Sequence, residues 1–402
     1  CKHYHPLNFK GVFMFVVNIL KIIANFIYGI FKLFPVKKNK VLFLSRQSNK
    51  ITLDYKMIID ELEQYPSIKM VTVLNRTKRS FMGFIKFIFV QLISMYHLAT
   101  SSVCLMDSYW PAVSVLNHKS SLTVIQIWHA SGKIKKSGYQ TLDLPYGRKK
   151  KIADIMSMHH NYDVIIAGGE ALNNYYCESF NVSEDKLFNV GLPRLDHLID
   201  IKDSAREKLL EFHPECAGKK IIFYAPTFRK GELFDCSELC KVFDREDYIL
   251  FVKPHSNQRI AEGLNIDTCH DMSSMTLIAA CDYLITDYSA IAFEAAAIKT
   301  KTLFYLHDYE KYVKYNGLNI DPAIEMPECT YFSAEELAND IFEDKYDSHS
   351  MESFADQYLP TDLGHSTKKI SSLIIDCIER GKDEGISRNL NRKTETLVHL
   401  GS

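Results

Sequence analysis

The sequence predicts an α/β protein with two doubly wound parallel-sheet domains facing a cleft, preceded by an amphipathic amino-terminal helix. Three observations support this fold class. Short apolar runs alternate with amphipathic helical patterns beyond residue 40, the alternation restarts after Ala217-Gly218, and the stretch 12–31 is apolar with polar residues at helical spacing. Alternating strand and helix patterns imply parallel sheets with helices on both faces. Ligands bind beyond the carboxyl ends of such strands, so we expect the site in the cleft.

The elements follow in order along both halves. In the first half, residues 41–200, strands are predicted at 41–45, 70–74, 102–106, 123–128 and 164–167, with helices at 55–64, 81–98, 111–118 and 170–180. In the second half, residues 218–380, strands are predicted at 220–224, 248–253, 283–286 and 302–305, with helices at 234–243, 273–280 and 289–298. Residues 381–402 are polar and are predicted to form a mobile tail.

Charge is distributed very unevenly along the chain. The 402 residues carry a net charge of −1, but residues 1–151 hold 23 Lys and Arg against 6 Asp and Glu, a net charge of +17. A strongly basic half indicates an anionic partner.

The composition, 47% hydrophobic and 24% charged, excludes a disordered or fibrous chain. The ten cysteines lack metal-finger spacing and we find no cleavable signal peptide, so reduced cytosolic thiols are expected.

The segment 1–40 is predicted to associate with a membrane. A spanning helix needs about 20 mostly apolar residues, and Lys21 at the centre of the stretch 12–31 costs such a helix about 3 kcal/mol. The polar residues recur on one helical face: Asn18, Lys21, Asn25 and Lys32. This pattern favours an amphipathic helix lying in the membrane interface, with a buried core helix and a true span as alternatives.

A second apolar stretch, 81–98, strengthens the membrane prediction. It follows a basic segment at 76–79, and alone it would also suit an ordinary crossover helix. Two such stretches in one basic half make an anionic membrane surface the expected partner. Nucleic acid is not expected, because the basic residues interleave with aliphatic ones instead of forming a polar groove.

Polar and basic residues follow the predicted strand 123–128. They are His129, Ala130, Ser131, Gly132 and Lys133. A glycine-containing loop of this kind can direct N–H groups and ammonium groups at a phosphate. The alternative is that His129 merely caps a strand.

Similar residues follow the strands of the second half. They are Pro226, Thr227 and Arg229, then Lys253, Pro254 and His255, then Ser289, Ala290 and Glu294. Ser289 is predicted to cap a helix whose first N–H groups could bind an anion. Glu294 could accept hydrogen bonds from ribose hydroxyls. Singly, each residue also fits a plain turn, cap or surface position.

Several familiar sites are missing from the sequence. It has no P-loop, no Gly-x-Gly-x-x-Gly after the first strand, no Asp-x-Asp, no His-Glu-x-x-His and no Gly-x-Ser-x-Gly. We therefore expect no metal and no cofactor. The pair His159-His160 is interpreted as surface, and Cys236 and Cys240 as plain thiols.

Five motifs in one order resemble the CDP-glycerol glycerophosphotransferase family, the teichoic acid primases and polymerases. They are Trp128-His129-x-x-x-Lys133, Gly191-Leu192-Pro193-Arg194-Leu195-Asp196, Tyr224-Ala225-Pro226-Thr227-x-Arg229, Lys253-Pro254-His255 and Thr286-Asp287-Tyr288-Ser289-x-x-x-Phe293-Glu294. The resemblance implies a two-lobed GT-B-like fold and a peripheral enzyme at the cytoplasmic face of the cell membrane. It also implies transfer of alditol phosphate from CDP-glycerol or CDP-ribitol to a hydroxyl of a lipid-linked acceptor, with release of CMP.

The chemistry assigns roles to these residues. His129 is the candidate base, and His255 beside Lys253 would stabilise the diphosphate or protonate the leaving CMP, although the two roles could be exchanged. Lys133, Arg194 and Arg229 are expected to neutralise phosphate charge. The chain departs from the family pattern at Ala130, at Ala290 and at Asn316, where glycine, serine and arginine respectively are common.

Two other classes of function were weighed. A GT-B glycosyltransferase or nucleotide-sugar epimerase that uses a UDP-sugar would share the fold. A membrane-bound scaffold would carry the same motifs only as strand-end packing. The sequence does not predict the alditol, the acceptor, the choice between primase and polymerase, or the oligomeric state.

Overall fold

The structure is a computed structural model that describes residues 9–76, 80–255 and 257–398. Lys78 and Arg79 of the predicted basic segment and both chain ends lie outside the described residues.

The first lobe is built on a six-stranded parallel sheet in the order β2-β1-β3-β4-β5-β6. Its strands are β1 Lys37–Ser45, β2 Lys69–Leu74, β3 Ser101–Met106, β4 Thr123–Gln126, β5 Val164–Ala167 and β6 Leu187–Asn189. Its helices are α1 Phe9–Phe31, α2 Leu53–Leu62, α3 Phe81–Thr100, α4 Pro111–Val115, α5 Lys150–Ile155, α6 Asn173–Phe180 and α7 Pro193–Ile201. The strand order reverses between β1 and β3, which opens a crevice at their carboxyl ends.

The second lobe has a five-stranded parallel sheet in the order β13-β12-β11-β7-β9 and a small pair, β10-β8. Its strands are β7 Lys220–Tyr224, β8 Leu233–Phe234, β9 Tyr248–Val252, β10 Arg259–Ile260, β11 Tyr283–Thr286, β12 Lys301–Tyr305 and β13 Thr330–Tyr331. The remaining helices are α8 Ala205–Phe212, α9 Ser237–Val242, α10 Ser274–Ala280, α11 Ile291–Ala297, α12 Tyr309–Tyr315, α13 Pro322–Glu325, α14 Ala334–Phe342, α15 Ser348–Tyr358, α16 Ser366–Arg380 and α17 Lys382–Val398. Here the order reverses between β7 and β11.

The predicted α/β alternation and the parallel sheets are confirmed. Every predicted strand is present, but the sequence missed the short strands β6, β8, β10 and β13. The predicted strand 123–128 ends at Gln126, and Trp128 has a positive φ of 60°, which turns the chain out of the sheet. The predicted helix 289–298 is the shorter α11, Ile291–Ala297, so Ser289 lies before the N-cap residue Ala290.

Helix α16 packs on the first sheet although it follows the second lobe in the chain. Its apolar residues recur at helical spacing and are buried against β1, β3, β4 and β5: Ile370, Leu373, Ile374 and Cys377. The sequence had placed this segment in the second half, 218–380. The predicted mobile tail also differs, because residues 382–398 form α17, whose Asn389 donates a 2.9 Å hydrogen bond to Asp376 of α16.

Helix α1 is docked on the first lobe through its polar stripe. The Lys21 ammonium donates to the Ile155 carbonyl at 2.9 Å, and the Asn25 amide donates to the Val115 carbonyl at 3.1 Å. The Tyr28 hydroxyl lies 2.9 Å from His118 Nδ1. The polar side of α1, which an interfacial helix would turn toward water, therefore faces the protein.

The apolar side of α1 points outward beside α3. Exposed side chains along the two helices include Ile22, Phe26, Phe81 and Phe84, at 70%, 72%, 77% and 60%. The helices meet where Tyr96 contacts Phe31 and Phe34. By length and composition the segments Met14–Phe31 and Phe81–Thr100 could cross a membrane, with mean hydropathies of 1.9 and 1.5, but one or two such helices also occur in soluble proteins.

Candidate active site

His129 lies at the crevice of the first lobe, where the strand order reverses. The loop after β4 carries it there, and its Nδ1 lies 3.0 Å from the Asp107 carbonyl oxygen at the end of β3. The same nitrogen lies 3.1 Å from the Gln47 side chain, which follows β1. Trp128 packs on the imidazole with a centroid distance of 4.2 Å. The histidine is therefore held by the ends of both strands that form the crevice.

The Asp107 carbonyl determines the tautomer of His129. A carbonyl oxygen can only accept, so Nδ1 carries the proton and Nε2 keeps its lone pair. Gln47 Nε2 lies nearest to this nitrogen, so the assignment requires the amide to be flipped, with its oxygen accepting from Nδ1–H. Burial lowers the pKa of His129 to about 4. The imidazole is thus neutral near pH 7, with Nε2 able to accept a proton.

His255 has the opposite tautomer. It follows β9 in the second lobe, and its Nδ1 accepts a 3.2 Å hydrogen bond from the Asn257 backbone N–H. Because Nδ1 accepts, the neutral ring carries its proton on Nε2 and can donate from there. Its side chain packs on Phe228 with a ring distance of 5.3 Å. One histidine therefore presents an acceptor, and the other a donor.

Lys135 lies within electrostatic range of both histidines. Burial lowers the pKa of each imidazole most, and the Lys135 ammonium lowers both further. The sequence analysis did not assign this lysine a role, although it follows the His129 motif directly. Lys135 also forms an antiparallel bridge with Leu318, so the two lobes meet at its backbone.

Arg194 and Glu294 form a buried network between the lobes. The Arg194 Nε lies 3.2 and 3.1 Å from the two carboxylate oxygens of Asp54, and its Nη1 lies 3.5 Å from Glu294 Oε1. Nη1 also lies 3.3 Å from the His129 carbonyl oxygen. Ser131 Oγ donates to Glu294 Oε1 at 2.8 Å. Arg194 was expected to meet phosphate, but its charge is balanced inside the protein and it positions the His129 loop.

Gly132 lets the His129 loop pack against α11. A Cβ atom at this position would lie 2.2 Å from the Phe293 ring, so any larger residue would force that buried ring to move. A second contact ties the same loop to residues 316–320 of the other lobe. There the Asn316 amide donates to the Lys136 carbonyl at 3.1 Å, and the Asn319 backbone N–H donates to the Ile134 carbonyl at 2.7 Å.

Arg229 is held by two carboxylates at the crevice of the second lobe. Its Nε lies 2.7 Å from Asp308, and its Nη2 lies 2.9 Å from Asp287. Its guanidinium also faces the Tyr288 and Tyr312 rings, at 5.1 and 4.7 Å. Arg229, predicted to neutralise phosphate, is thus already paired, and the carboxylates raise its pKa although burial opposes them.

The crevice opens into a pocket of about 560 Å³. Pro226, Thr227 and Arg229 line it at the end of β7, with Tyr305 and Asp308 from the β12 side. The Asp287 carboxylate accepts from the Thr227 backbone N–H at 2.9 and 3.0 Å. The Thr227 hydroxyl and Glu294 Oε2 are buried and have no hydrogen-bond partner.

Lys133 lies in an aromatic cage and not in the open cleft. Its ammonium is 4.8 Å from the Trp128 ring, 5.1 Å from Tyr176 and 4.3 Å from Phe180, and it donates to Ser137 Oγ at 3.1 Å. Burial lowers the pKa of this lysine to about 7. The sequence analysis predicted that Lys133 contacts a phosphate, but in the structure its side chain is buried among the aromatic rings.

The remaining predicted residues line or support the crevice of the second lobe. The Lys253 ammonium donates to the Met272 carbonyl, and Pro254 leads from it to His255. Ser289 Oγ accepts from the Ile291 backbone N–H at 3.4 Å, next to half-buried Ala290. In the first lobe, Ala130 is half-buried beside His129.

Sequence reasoning gave no pairing role to the acidic residues of the site, although Asp287 is part of one of the five motifs. Asp54, Asp107, Asp287 and Asp308 hold arginine side chains, backbone groups or the His129 loop. Asp287 and Asp308 each follow a strand, a signal that could have marked them. Asp54 opens helix α2 and is buried, which its local sequence does not reveal.

Residues 26–376 match the family described as CDP-Glycerol:Poly(glycerophosphate) glycerophosphotransferase. The chain belongs to this family. As a glycerophosphotransferase family member it is a transferase of teichoic acid biosynthesis.

Relatives of this glycerophosphotransferase align with most of its length. A teichoic acid ribitol-phosphate primase of Bacillus spizizenii is 28% identical over 92% of this chain and 99% of its own length. A teichoic acid glycerol-phosphate primase of Bacillus subtilis is 29% identical over 70% of this chain and 75% of its own. A variant of the wall teichoic acid polymerase TagF has the same fold, with a TM-score of 0.71 and 20% identity over 92% of this chain and 98% of that one.

Proposed function

We propose that this glycerophosphotransferase transfers alditol phosphate from CDP-glycerol or CDP-ribitol to a hydroxyl of a lipid-linked teichoic-acid-type, wall or capsule acceptor, releasing CMP. The observation that carries the proposal is the different surroundings of the two Nδ1 atoms: that of His129 faces the Asp107 carbonyl, and that of His255 accepts from the Asn257 backbone N–H. His129 Nε2 can accept a proton, and the neutral His255 ring can donate a hydrogen bond from Nε2–H, which are two roles that an in-line transfer between oxygens uses. Family membership favours this reaction over the use of a UDP-sugar.

The proposed step balances without a redox partner. The acceptor hydroxyl loses its proton to His129 Nε2, and its oxygen attacks the distal phosphorus of the CDP-alditol. The new P–O bond forms as the bond from that phosphorus to the CMP oxygen breaks. His255 Nε2–H donates a hydrogen bond to the leaving phosphate and keeps its proton, and the Lys135 ammonium offsets charge on the equatorial oxygens. The proton held by His129 then passes to solvent.

The donor is proposed to bind the second lobe. Two predicted donor contacts, Thr227 and Glu294, each hold a buried oxygen that the protein leaves without a partner. Such atoms are rare in folded proteins, and a ligand hydroxyl or amide would satisfy them. The pocket at Pro226 and Arg229 has room for a nucleoside. Glu294 Oε1 is already taken by Ser131, so only Oε2 is available to the ribose.

The acceptor is proposed to reach His129 from a membrane surface. Helices α1 and α3 belong to the same lobe as His129, and their outward sides are apolar. Since the polar stripe of α1 is bound to the protein, its apolar side is free to enter the membrane interface. Lysines of the basic lobe would add attraction to anionic lipids. This arrangement corresponds to a peripheral enzyme on the cytoplasmic face of the cell membrane.

CMP release tests the proposal directly. Purified protein on anionic vesicles is incubated with CDP-glycerol, CDP-ribitol or a UDP-sugar, with and without a lipid-linked acceptor. We expect acceptor-dependent release of CMP from one of the CDP-alditols and none of UDP from the UDP-sugar. Release of UDP, or the absence of CMP release with every lipid-linked acceptor while the protein stays folded, would contradict the proposed reaction.

A further inference from the structure

Three ligand-type side chains converge in the second lobe, near Lys253 but outside the residues that line the active-site pocket. His213 ends helix α8, while Cys269 and Asp271 lie in the loop before α10. His213 Nε2 lies 3.0 Å from Asp271 Oδ1 and 3.4 Å from Cys269 Sγ. Cys269 Sγ lies 3.8 Å from Asp271 Oδ1. A histidine 56 residues away from the cysteine gives no motif, so the sequence analysis expected no metal.

The spacing of these three atoms suits zinc. Zinc bonds are about 2.3 Å to sulfur and about 2.0–2.1 Å to histidine nitrogen or carboxylate oxygen, in tetrahedral geometry. Those lengths place the ligand atoms of one zinc ion about 3.3–3.6 Å apart. The observed separations of 3.0, 3.4 and 3.8 Å lie around that range. Small side-chain movements would therefore complete three zinc bonds, with water as the fourth ligand.

Glu215 fixes the histidine for metal binding. Its Oε1 lies 2.9 Å from His213 Nδ1. A proton on Nδ1 donates to this carboxylate, and a proton on Nε2 donates to Asp271. Zinc would replace the Nε2 proton, while Nδ1–H would keep its bond to Glu215. A carboxylate behind the histidine is the usual partner of zinc-bound imidazole.

A nucleophilic role for Cys269 fits the structure less well. The residue is 1% exposed, so a substrate could not reach its sulfur. Asp271 is more open, with 34% of its side chain exposed, and offers a route by which a metal ion can enter. One carboxylate and one sulfur close to the same imidazole nitrogen are a metal-ligand set and not an isolated thiol.

We propose that His213, Cys269 and Asp271 bind one Zn²⁺ ion that braces the loop supporting Lys253. The Cys269 carbonyl accepts from the Met272 backbone N–H at 3.1 Å, and the Met272 carbonyl accepts from the Lys253 ammonium. A metal ion bound to Cys269 would therefore fix Met272, which holds the Lys253 ammonium. Lys253 lies two positions before His255 in the chain. The metal site is independent of the transferase proposal, because its test measures metal binding alone.

Cobalt titration of the tag-free full chain tests the site. Co²⁺ reports thiolate ligation through a sulfur-to-metal charge-transfer band, and Zn²⁺ should displace it. We expect one Co²⁺ per chain with this band in the wild type and in Cys281→Ser, a matched change at another cysteine of the same lobe. Cys269→Ser and His213→Ala should lose the band, and added Zn²⁺ should raise the Tm of the wild type and of Cys281→Ser but not of these two variants.

Several outcomes would overturn the zinc site. These are a wild-type protein that binds no Co²⁺, or a Cys269→Ser protein that keeps the charge-transfer band. Should Cys269→Ser fail to fold by circular dichroism, the exposed change Asp271→Asn decides instead. It should weaken Co²⁺ binding at least about tenfold while preserving the fold, and wild-type affinity would refute the assignment.

Discussion

Ser131 Oγ donates a 2.8 Å hydrogen bond to the Glu294 carboxylate and so joins the two lobes directly. Ser131 lies two residues after His129, and Glu294 lies on α11 behind the donor crevice. The position of the candidate base is therefore connected to the candidate donor site through one bond. Arg194, which contacts Glu294 and the His129 carbonyl, reinforces the same connection.

Glu294→Ala should weaken both folding and donor binding. The change removes a charged partner of Arg194 and the acceptor of Ser131, and hydrogen bonds to charged groups contribute about 1.5–3 kcal/mol. We expect a lower urea midpoint and a CMP dissociation constant raised roughly 10- to 100-fold. Ser131→Ala is the control, since it removes only the neutral donor and should shift the midpoint less. Wild-type CMP affinity in Glu294→Ala would rule out the proposed ribose contact.

Replacing either active-site histidine should reduce turnover. A lost acid or base typically costs about 100-fold or more, so His129→Ala and His255→Ala should release CMP at no more than about one hundredth of the wild-type rate. Donor affinity should change less in His129→Ala. The controls are His160→Ala and His349→Ala, exposed histidines of the first and second lobes. Near-normal CMP release by either active-site variant would remove that residue from the mechanism.

The pH profile should reflect the lowered pKa of His129. Since burial lowers this pKa to about 4, the base is neutral throughout the range from pH 5 to pH 8. We expect no decline of kcat/KM near pH 6.5 as the pH falls, because kcat/KM reports the free enzyme. Asp107→Asn is the control. Burial raises the pKa of the Asp107 carboxyl to about 6, so this carboxyl could itself cause a decline in that range. The variant removes the carboxyl but keeps the backbone carbonyl that binds His129. A decline centred near pH 6.5 in both proteins would contradict the assignment of His129.

Stability should fall in mild acid. Burial lowers the pKa of His97, His118 and His129 to about 4, and that of His159 to about 3. Below an unfolded pKa of about 6.5 the unfolded chain binds protons that the folded chain does not, so the free energy of unfolding decreases as the pH falls toward 4. Urea midpoints between pH 7.5 and pH 5 measure this. Equal midpoints across that range would show that the imidazoles are not buried as neutral groups.

Membrane binding should depend on the outward side chains of α1 and α3. Phe26→Asp combined with Phe84→Asp should lower sedimentation with anionic vesicles, because both side chains would leave the interface. The control is Ile324→Asp, which alters an equally exposed residue, 74%, of the second lobe. Binding of the wild type should weaken at high salt and be poor on neutral vesicles. Salt-insensitive binding, or unchanged binding by the double variant, would contradict this docking.

The sequence predicted the strands and strand ends well, because burial on both faces produces continuous apolar runs such as those of β3 and β11. It located the residues at the crevices, since parallel strands bring their carboxyl ends to one edge. It could not predict which charges are paired with each other. Lys133, Arg194 and Arg229 resemble free cations in the sequence, but aromatic rings or distant carboxylates surround them in the fold. Those partners lie up to 140 residues away, beyond any local pattern.

The side of α1 that faces the protein is a second feature that the sequence did not predict. The pattern of Asn18, Lys21 and Asn25 correctly indicated an amphipathic helix, but periodicity does not say which side meets the protein. A polar stripe binds protein as readily as water where backbone carbonyls are left without partners. Here the carbonyls of Val115 and Ile155 supply such acceptors.

The return of α16 to the first sheet has a consequence for synthesis on the ribosome. The side chains of Val41, Phe43 and Val103 that α16 covers are translated long before the helix itself. The nascent first lobe must leave the exit tunnel with that surface bare and keep it so until the whole second lobe has followed. Chaperones that hold apolar segments have their longest opportunity to act on this chain during that interval.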